Sequence, residues 1–223
     1  MSDFTVPSGN LSPARYPLGE EIANAITHGL MSLLSIAGLV ILIVQAAVRG
    51  NAWHVVSFTI FGFSAVLLFT MSTLYHAIKA PRAKRVLKIM DHASIYVLIA
   101  GTYTPFALTI LRPTIGWTVF GIVWGAAVIG ICLKPFLAGK AKLLSTIAYV
   151  AMGWIIVFAW KYLAAVASVG AIRYLMAGGV AYTVGAVFYL IKGRVWSHPV
   201  WHLFVGAGAL FHFVAVLNLL PAA

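Results

Sequence analysis

WHVVSFTIFGFSAVLLFTMSTLYHAI, residues 53–78, carries no Asp, Glu, Lys or Arg from end to end and closes on a histidine. At 1.5 Å of rise per residue, a helix of this length outreaches the roughly 30 Å of hydrocarbon in a bilayer. Its apolar residues run on without a period-two alternation, which selects a membrane helix over a barrel strand. Working outward, six more runs of this kind follow: 22–48, 86–111, 115–133, 143–165, 172–191 and 200–220. The expected fold is therefore an all-α integral membrane protein of seven transmembrane helices, one domain over 22–220 behind a short N-terminal segment, 1–21. That segment holds Pro7, Gly9, Pro13 and Pro17 and is expected to be an irregular or surface-lying lead-in. It lacks the basic start and short apolar core of a cleaved signal. The connections are short and carry Gly50-Asn51, Pro81, Pro113, Gly139, Gly170 and Gly193.

Composition agrees. The chain is 62% apolar and 9% charged, against about 45–50% and about 25% in soluble domains. Too few charges exist to cover a water-facing surface. The net charge of +11 lies in clusters between apolar runs rather than along one polar face, which fits membrane topology and excludes a nucleic-acid partner. Cys132 is the single cysteine, so no intrachain disulfide forms.

Of the 15 Lys and Arg, all but Arg49, Arg112, Lys161 and Arg173 fall on one side of a seven-span arrangement. That majority side takes Arg15, the cluster from Lys79 to Lys88, Lys134, Lys140, Lys142, Lys192 and Arg194. Positive charge accumulates on cytoplasmic loops, which predicts a cytoplasmic N-terminus and an outside C-terminus. Gly121 and Gly125, Gly178 and Gly179, and Gly206 and Gly208 are expected to let helices approach closely in lipid. Pro105 is expected to kink the third span.

Ionisable groups inside spans mark function by default, since burying them in lipid costs at least about 2.5–3.5 kcal/mol at the bilayer centre. Past residue 21 the only acid is Asp91, at the start of the third span. Ser197, read as an N-cap, opens the seventh span; His198 and His202 follow it, four residues apart and so on one helical face. His76 ends the second span. The topology puts His76, Asp91, His198 and His202 at one membrane depth, on the cytoplasmic side. Three neutral imidazoles with an open fourth position form the pattern of a catalytic zinc site, with Asp91 as the carboxylate that holds or deprotonates a water. Glu21, Asn24 and His28 share one face of the first span at the same depth. They form either a wall ordering the site or a hydrogen-bonded packing seam. His212 lies ten residues past His202, roughly 15 Å deeper, too far to share that ion, and is read as a hydrogen-bonded interior histidine. His92 and His54 are weaker candidates.

Glu21-x-x-Asn24-x-x-Thr27-His28, Ser72-x-x-x-His76, Asp91 and His198-x-x-x-His202 with the later His212, in that order, resemble the hemolysin III family, the bacterial branch of the progestin and adipoQ receptor (PAQR) superfamily. The likeness covers the chain from Glu21 to Leu220. It implies zinc on His76, His198 and His202, Asp91 as the carboxylate reaching zinc through water, and Ser72 as the serine one turn before the first ligand. It also links the chain to ceramidase-like hydrolysis and membrane homeostasis. The long N-terminal extension of the eukaryotic receptors has no counterpart here, so no protein ligand is carried over.

The leading expectation is a zinc-dependent hydrolase of an amide or ester bond in a membrane lipid, with Asp91 taking the proton and Ser72 hydrogen-bonding the oxyanion or the water. The alternatives are a non-enzymatic membrane sensor or regulator in which zinc is structural, and a pore-forming, cytolytic hemolysin.

Overall fold

The computed structural model describes residues 16–137, 141–191 and 194–221. Residues 1–15, Gly139, Lys140, Lys192 and Gly193 lie outside them, and so do the expectations attached to those positions. Every regular element among the described residues is helical: α1 (Leu18–Arg49), α2 (Ala52–Ala77), α3 (Pro81–Leu108), α4 (Gly116–Leu137), α5 (Lys142–Gly153), a 3-10 segment (Ile155–Ala159), α6 (Trp160–Val166), α7 (Val169–Leu190) and α8 (Ser197–Leu217). Six helical stretches are long and apolar enough to cross a membrane, counting Lys142–Val166 as one. The exception is α3. It starts earlier than the apolar run suggests, with Pro81 in the first turn, where a missing N–H costs nothing. Arg82, Lys84, Arg85, Lys88 and Asp91 therefore ride on its first three turns.

The bundle is apolar outside and keeps its buried polar groups inside, among a hydrophobic core. Leu33, Leu34, Phe136 and Phe158 are exposed, the last at 87%, whereas Asn24, His28, Ser57, Ser64, Ser72 and Thr104 are buried. Water would penalise that much contiguous apolar surface, and lipid accepts it. Together these features point to a multi-pass membrane protein. Successive helices pack side by side from α1 to α4, α7 pairs with α8, and α8 returns to α1; α3 runs centrally, touching α2, α4, α5 and α8.

Local chemistry sets the helix ends. Asn51 caps α2 by accepting from the Trp53 and His54 amides, while its own N–H donates to Nδ1 of His54, a reciprocal capping box. This accounts for His54 without a catalytic role. At the same end Arg49 donates to the Pro221 carbonyl (2.8 Å) and Arg112 stacks over Trp53. Ser197 is not a cap: it is the first residue of α8, and its hydroxyl donates back to the Arg194 carbonyl. The helix runs past Pro105 to Leu108. The glycine expectation holds in part. A Cβ on Gly206 would come within 3.0 Å of Met31, but Gly121 and Gly125 face open space and carry no helix contact.

The fifth apolar run is not one helix. Its ladder breaks between α5 and α6, and the side chain that fills the break comes from α3. The Tyr103 hydroxyl donates to the Gly153 carbonyl (2.7 Å) and accepts from the Ile156 amide (2.9 Å). Two backbone groups freed in an apolar layer thus find one partner, as kinks away from water require. Tyr103→Phe keeps the ring and orphans both groups. A buried unsatisfied group costs about 1–3 kcal/mol, so the variant is expected to melt several degrees lower in the same micelle, by tryptophan fluorescence.

Candidate metal centre

His76, at the end of α2, and His198 and His202, in the first two turns of α8, converge at one end of the bundle. All three are buried, and each offers a ring nitrogen within 4.8 Å of the others'. Nε2 of His198 stands 3.3 Å from Nε2 of His76. Nε2 of His202 is buried without a hydrogen-bond partner among the described residues.

The other ring nitrogens are each occupied from outside the cluster. Nδ1–H of His76 donates to Oε2 of Glu21 at 2.6 Å, and Oε1 of Glu21 accepts from Lys84 at 2.6 Å. The Asn24 amide lies 3.5 Å from the same Nδ1, at the limit of a hydrogen bond. Nδ1 of His202 pairs with the Thr27 hydroxyl (3.3 Å), and Nδ1 of His198 pairs with the Tyr16 hydroxyl (3.3 Å). A carboxylate on Nδ1–H fixes the tautomer and leaves Nε2 as the lone-pair donor, the arrangement that orients histidines for metals. Burial, with Asp91 and Glu21 nearby, raises the Tyr16 phenol above its ordinary value, so Tyr16 meets His198 as a neutral hydroxyl. Three inward lone pairs, one of them orphaned, and three outward partners form a cluster that can hold a metal ion.

Asp91 is buried beside the cluster but outside the group close enough to ligate directly. Ser72 is buried close to the Asp91 carboxyl, and its hydroxyl makes no well-formed hydrogen bond among the described residues. His28 does not join the ring nitrogens. It stacks flat on His202, with centroids 3.5 Å apart, and neither of its nitrogens makes a well-formed hydrogen bond among the described residues. Of the residues on α1, Glu21 thus touches a cluster histidine directly, Asn24 marginally, and His28 through its ring face. His92 sits aside, with Nε2 on the Tyr189 hydroxyl.

Sequence reasoning gave no role to four residues here. Tyr16 fell in the supposed lead-in and Lys84 in a run read only for topology. Thr27 belonged to a recognised motif, yet its contact with His202 was not foreseen. Glu20, buried, accepts from the Trp196 amide and so ties the first turn of α1 to the approach to α8; Trp196 adopts a left-handed conformation, φ 72°. The readable signal was the pairing of Glu20 and Glu21 at a helix start where one acid would serve the dipole.

Glu21→Gln keeps the size of the side chain and removes the charge facing both His76 and Lys84. Altering such an outer partner typically costs 10–100-fold in metal affinity. That loss is the expected result when a chelator of known affinity competes for the ion.

Beside the cluster lies a cavity of about 130 Å³, partly open to the exterior, between α3, α5, α7 and α8. His28, Asp91 and Trp201 wall it at the metal end, and Leu98, Ile99, Phe106, Ile156, Leu175 and Val205 are among its apolar lining.

Residues 16–213 match a family model described as haemolysin-III related. The chain is 49% identical over 202 residues to the Hemolysin-3 homolog of Bacillus subtilis (strain 168), covering 91% of this chain and 95% of that protein. To the Hemolysin-3 of Bacillus cereus it is 45% identical over 205 residues, 92% of this chain and 94% of that one. A more distant relative is the human monocyte to macrophage differentiation factor, 25% identical over 97% of this chain and 90% of that protein.

Proposed function

The chain belongs to the haemolysin-III-related family, and on that premise we propose that it is a zinc-dependent hydrolase cleaving an amide or ester bond of a membrane lipid, ceramidase-like, in the service of membrane homeostasis. The observation that carries this reading is the buried three-imidazole cluster lying next to a mostly apolar cavity that has a carboxylate, Asp91, in its wall.

Three imidazoles suit zinc better than magnesium or calcium. His76, His198 and His202 would hold the ion through Nε2. Zinc bound there supplies Lewis acidity and lowers the pKa of a water toward about 7. Asp91, kept from bulk solvent, would take the proton from the attacking water and return it to the leaving amine or alcohol as the acyl bond breaks. Ser72, which lies beside Asp91 and has no well-formed hydrogen bond among the described residues, donates a hydrogen bond at the reacting end. The cavity takes the acyl chain out of lipid and excludes water behind it. In this reading α3 crosses as a seventh span, the N-terminus is cytoplasmic, and the centre lies in the inner leaflet of the inner membrane, near the Lys79–Lys88 cluster.

The experiment is fatty-acid release from a panel of N-acyl and ester lipids by the purified, reconstituted protein. Release that a chelator abolishes and zinc restores is the expected outcome. A second reading has one observation in its favour: through Glu21 and Lys84 the cluster ties α1, α2, α3 and α8 together, as a structural zinc in a sensor or regulator would. A zinc-loaded protein that releases nothing from any lipid, but melts earlier without metal, establishes that reading instead. Ion flux in proteoliposomes tests for the pore that the name of the Bacillus cereus relative suggests for that protein.

A further inference from the structure

Most polar groups on the cavity wall are already satisfied by the protein. Tyr103 bridges Gly153 and Ile156, Thr183 accepts from Trp154 and donates to the Gly179 carbonyl, and Thr102 and Thr146 each bond a carbonyl one turn back. Two neighbouring groups far from the metal end are not. The Tyr182 hydroxyl and Nδ1 of His212 are both buried and both without a hydrogen-bond partner among the described residues. Both side chains line the cavity. Their rings stand 5.3 Å apart at 61°, and His212 is only 6% exposed.

The pair is held in place from both sides. Nε2–H of His212 donates to the Leu175 carbonyl (3.2 Å), which leaves Nδ1 as an acceptor. The His212 ring packs on Gly178 of α7, where any Cβ would overlap it, and the Tyr182 ring packs on Gly208 of α8, where a Cβ would lie 2.8 Å from Cδ1. Gly178 and Tyr182 are four apart on one helix, and Gly208 and His212 four apart on the other. Each helix therefore supplies one ring and the hollow for its partner's ring. Glycines admit the rings, yet packing alone needs no phenol oxygen and no free imidazole nitrogen. In hydrocarbon, orphaned polar groups are costly and native structures rarely leave them together.

We propose that Tyr182 and His212 form a second polar station in the cavity, binding a hydroxyl carried partway along the acyl chain of its ligand. The proposal rests on the reading of the cavity as an acyl-chain site. The Tyr182 O–H donates to the ligand hydroxyl, which in turn donates to Nδ1 of His212, so one ligand group satisfies both. His212 lies ten residues along α8 from His202, roughly 15 Å at the helical rise. The substrate class is then a mid-chain hydroxylated acyl lipid, with its scissile or carboxyl end at the metal.

The test uses the full chain, zinc-loaded in phosphatidylcholine nanodiscs, with binding read from the fluorescence of Trp154 and Trp201, which line the cavity. The probes are octadecanoic acid, its 12-hydroxy derivative and its 2-hydroxy derivative, whose hydroxyl stays at the metal end. The 12-hydroxy acid is expected to bind about tenfold tighter than octadecanoic acid, the scale of one well-formed buried hydrogen bond. The 2-hydroxy acid lacks that advantage. Tyr182→Phe, which preserves the ring packing, is expected to abolish the preference while leaving octadecanoic acid binding unchanged; His212→Gln serves as the independent second variant. Equal affinity of the 12-hydroxy and unsubstituted acids in the wild type, or a preference that survives in both variants, overturns the station and leaves the hydrolase reading standing. Failure of all three acids to bind removes the acyl-chain site, and the station with it.

Discussion

Alanine in place of His202 is expected to reduce zinc from one ion per chain to near none after dialysis, and to abolish chelator-sensitive lipid hydrolysis with it. His202 is fully buried, its Nδ1 is engaged by Thr27, and its Nε2 has no hydrogen-bond partner among the described residues. The substitution removes a preorganised donor and leaves two imidazoles, too few to close a zinc site. Stability should follow the metal. A ligand at a thousand times its Kd stabilises by about 4 kcal/mol, so added zinc should raise the wild-type melting temperature and leave the variant unmoved. His212→Ala is the control: it sits on the same helix, too deep to ligate, and should keep its zinc. Metal quantification on the three proteins checks this. Full zinc in His202→Ala would show that the ion is held elsewhere.

Asp91→Asn is expected to retain zinc and lose turnover. Asp91 lies outside the direct-ligand group but within the cavity wall, so its removal leaves the three nitrogens in place. General-base catalysis contributes about 10²–10⁴-fold, and kcat for fatty-acid release should fall by that factor while metal content holds. Turnover and metal falling together would make Asp91 a determinant of the site's assembly instead of a base. Unchanged turnover would remove it from the mechanism.

The cluster was legible because lipid penalises polar groups. With one acid beyond residue 21, Asp91 identified itself, and charge topology alone put His76, His198 and His202 at one depth. Glu21 was readable as part of a polar face, though its grip on His76 was not. The break in the fifth run was hidden because residues 143–165 are apolar on both sides of it, with no proline and no charge nearer than Lys161. What stabilises the break is Tyr103, some fifty residues upstream in another helix, and no local period reports such a contact. Gly121 and Gly125 show the converse: their spacing matched a packing motif, but the face they occupy meets nothing. The start of α3 was misplaced because the apolar run was taken to begin after Arg85, whereas Pro81 begins the helix about one and a half turns earlier. Tyr16 was missed because a residue outside every span carries no depth signal; only the fold shows it stacked on His198, 4.7 Å between centroids.

Zinc K-edge X-ray absorption on the purified wild-type protein, with the metal quantified in the same sample, addresses the three-histidine centre most directly. One zinc per chain with a first shell containing three imidazole nitrogens is the expected result. A protein free of transition metal, or a shell without histidine, would contradict it.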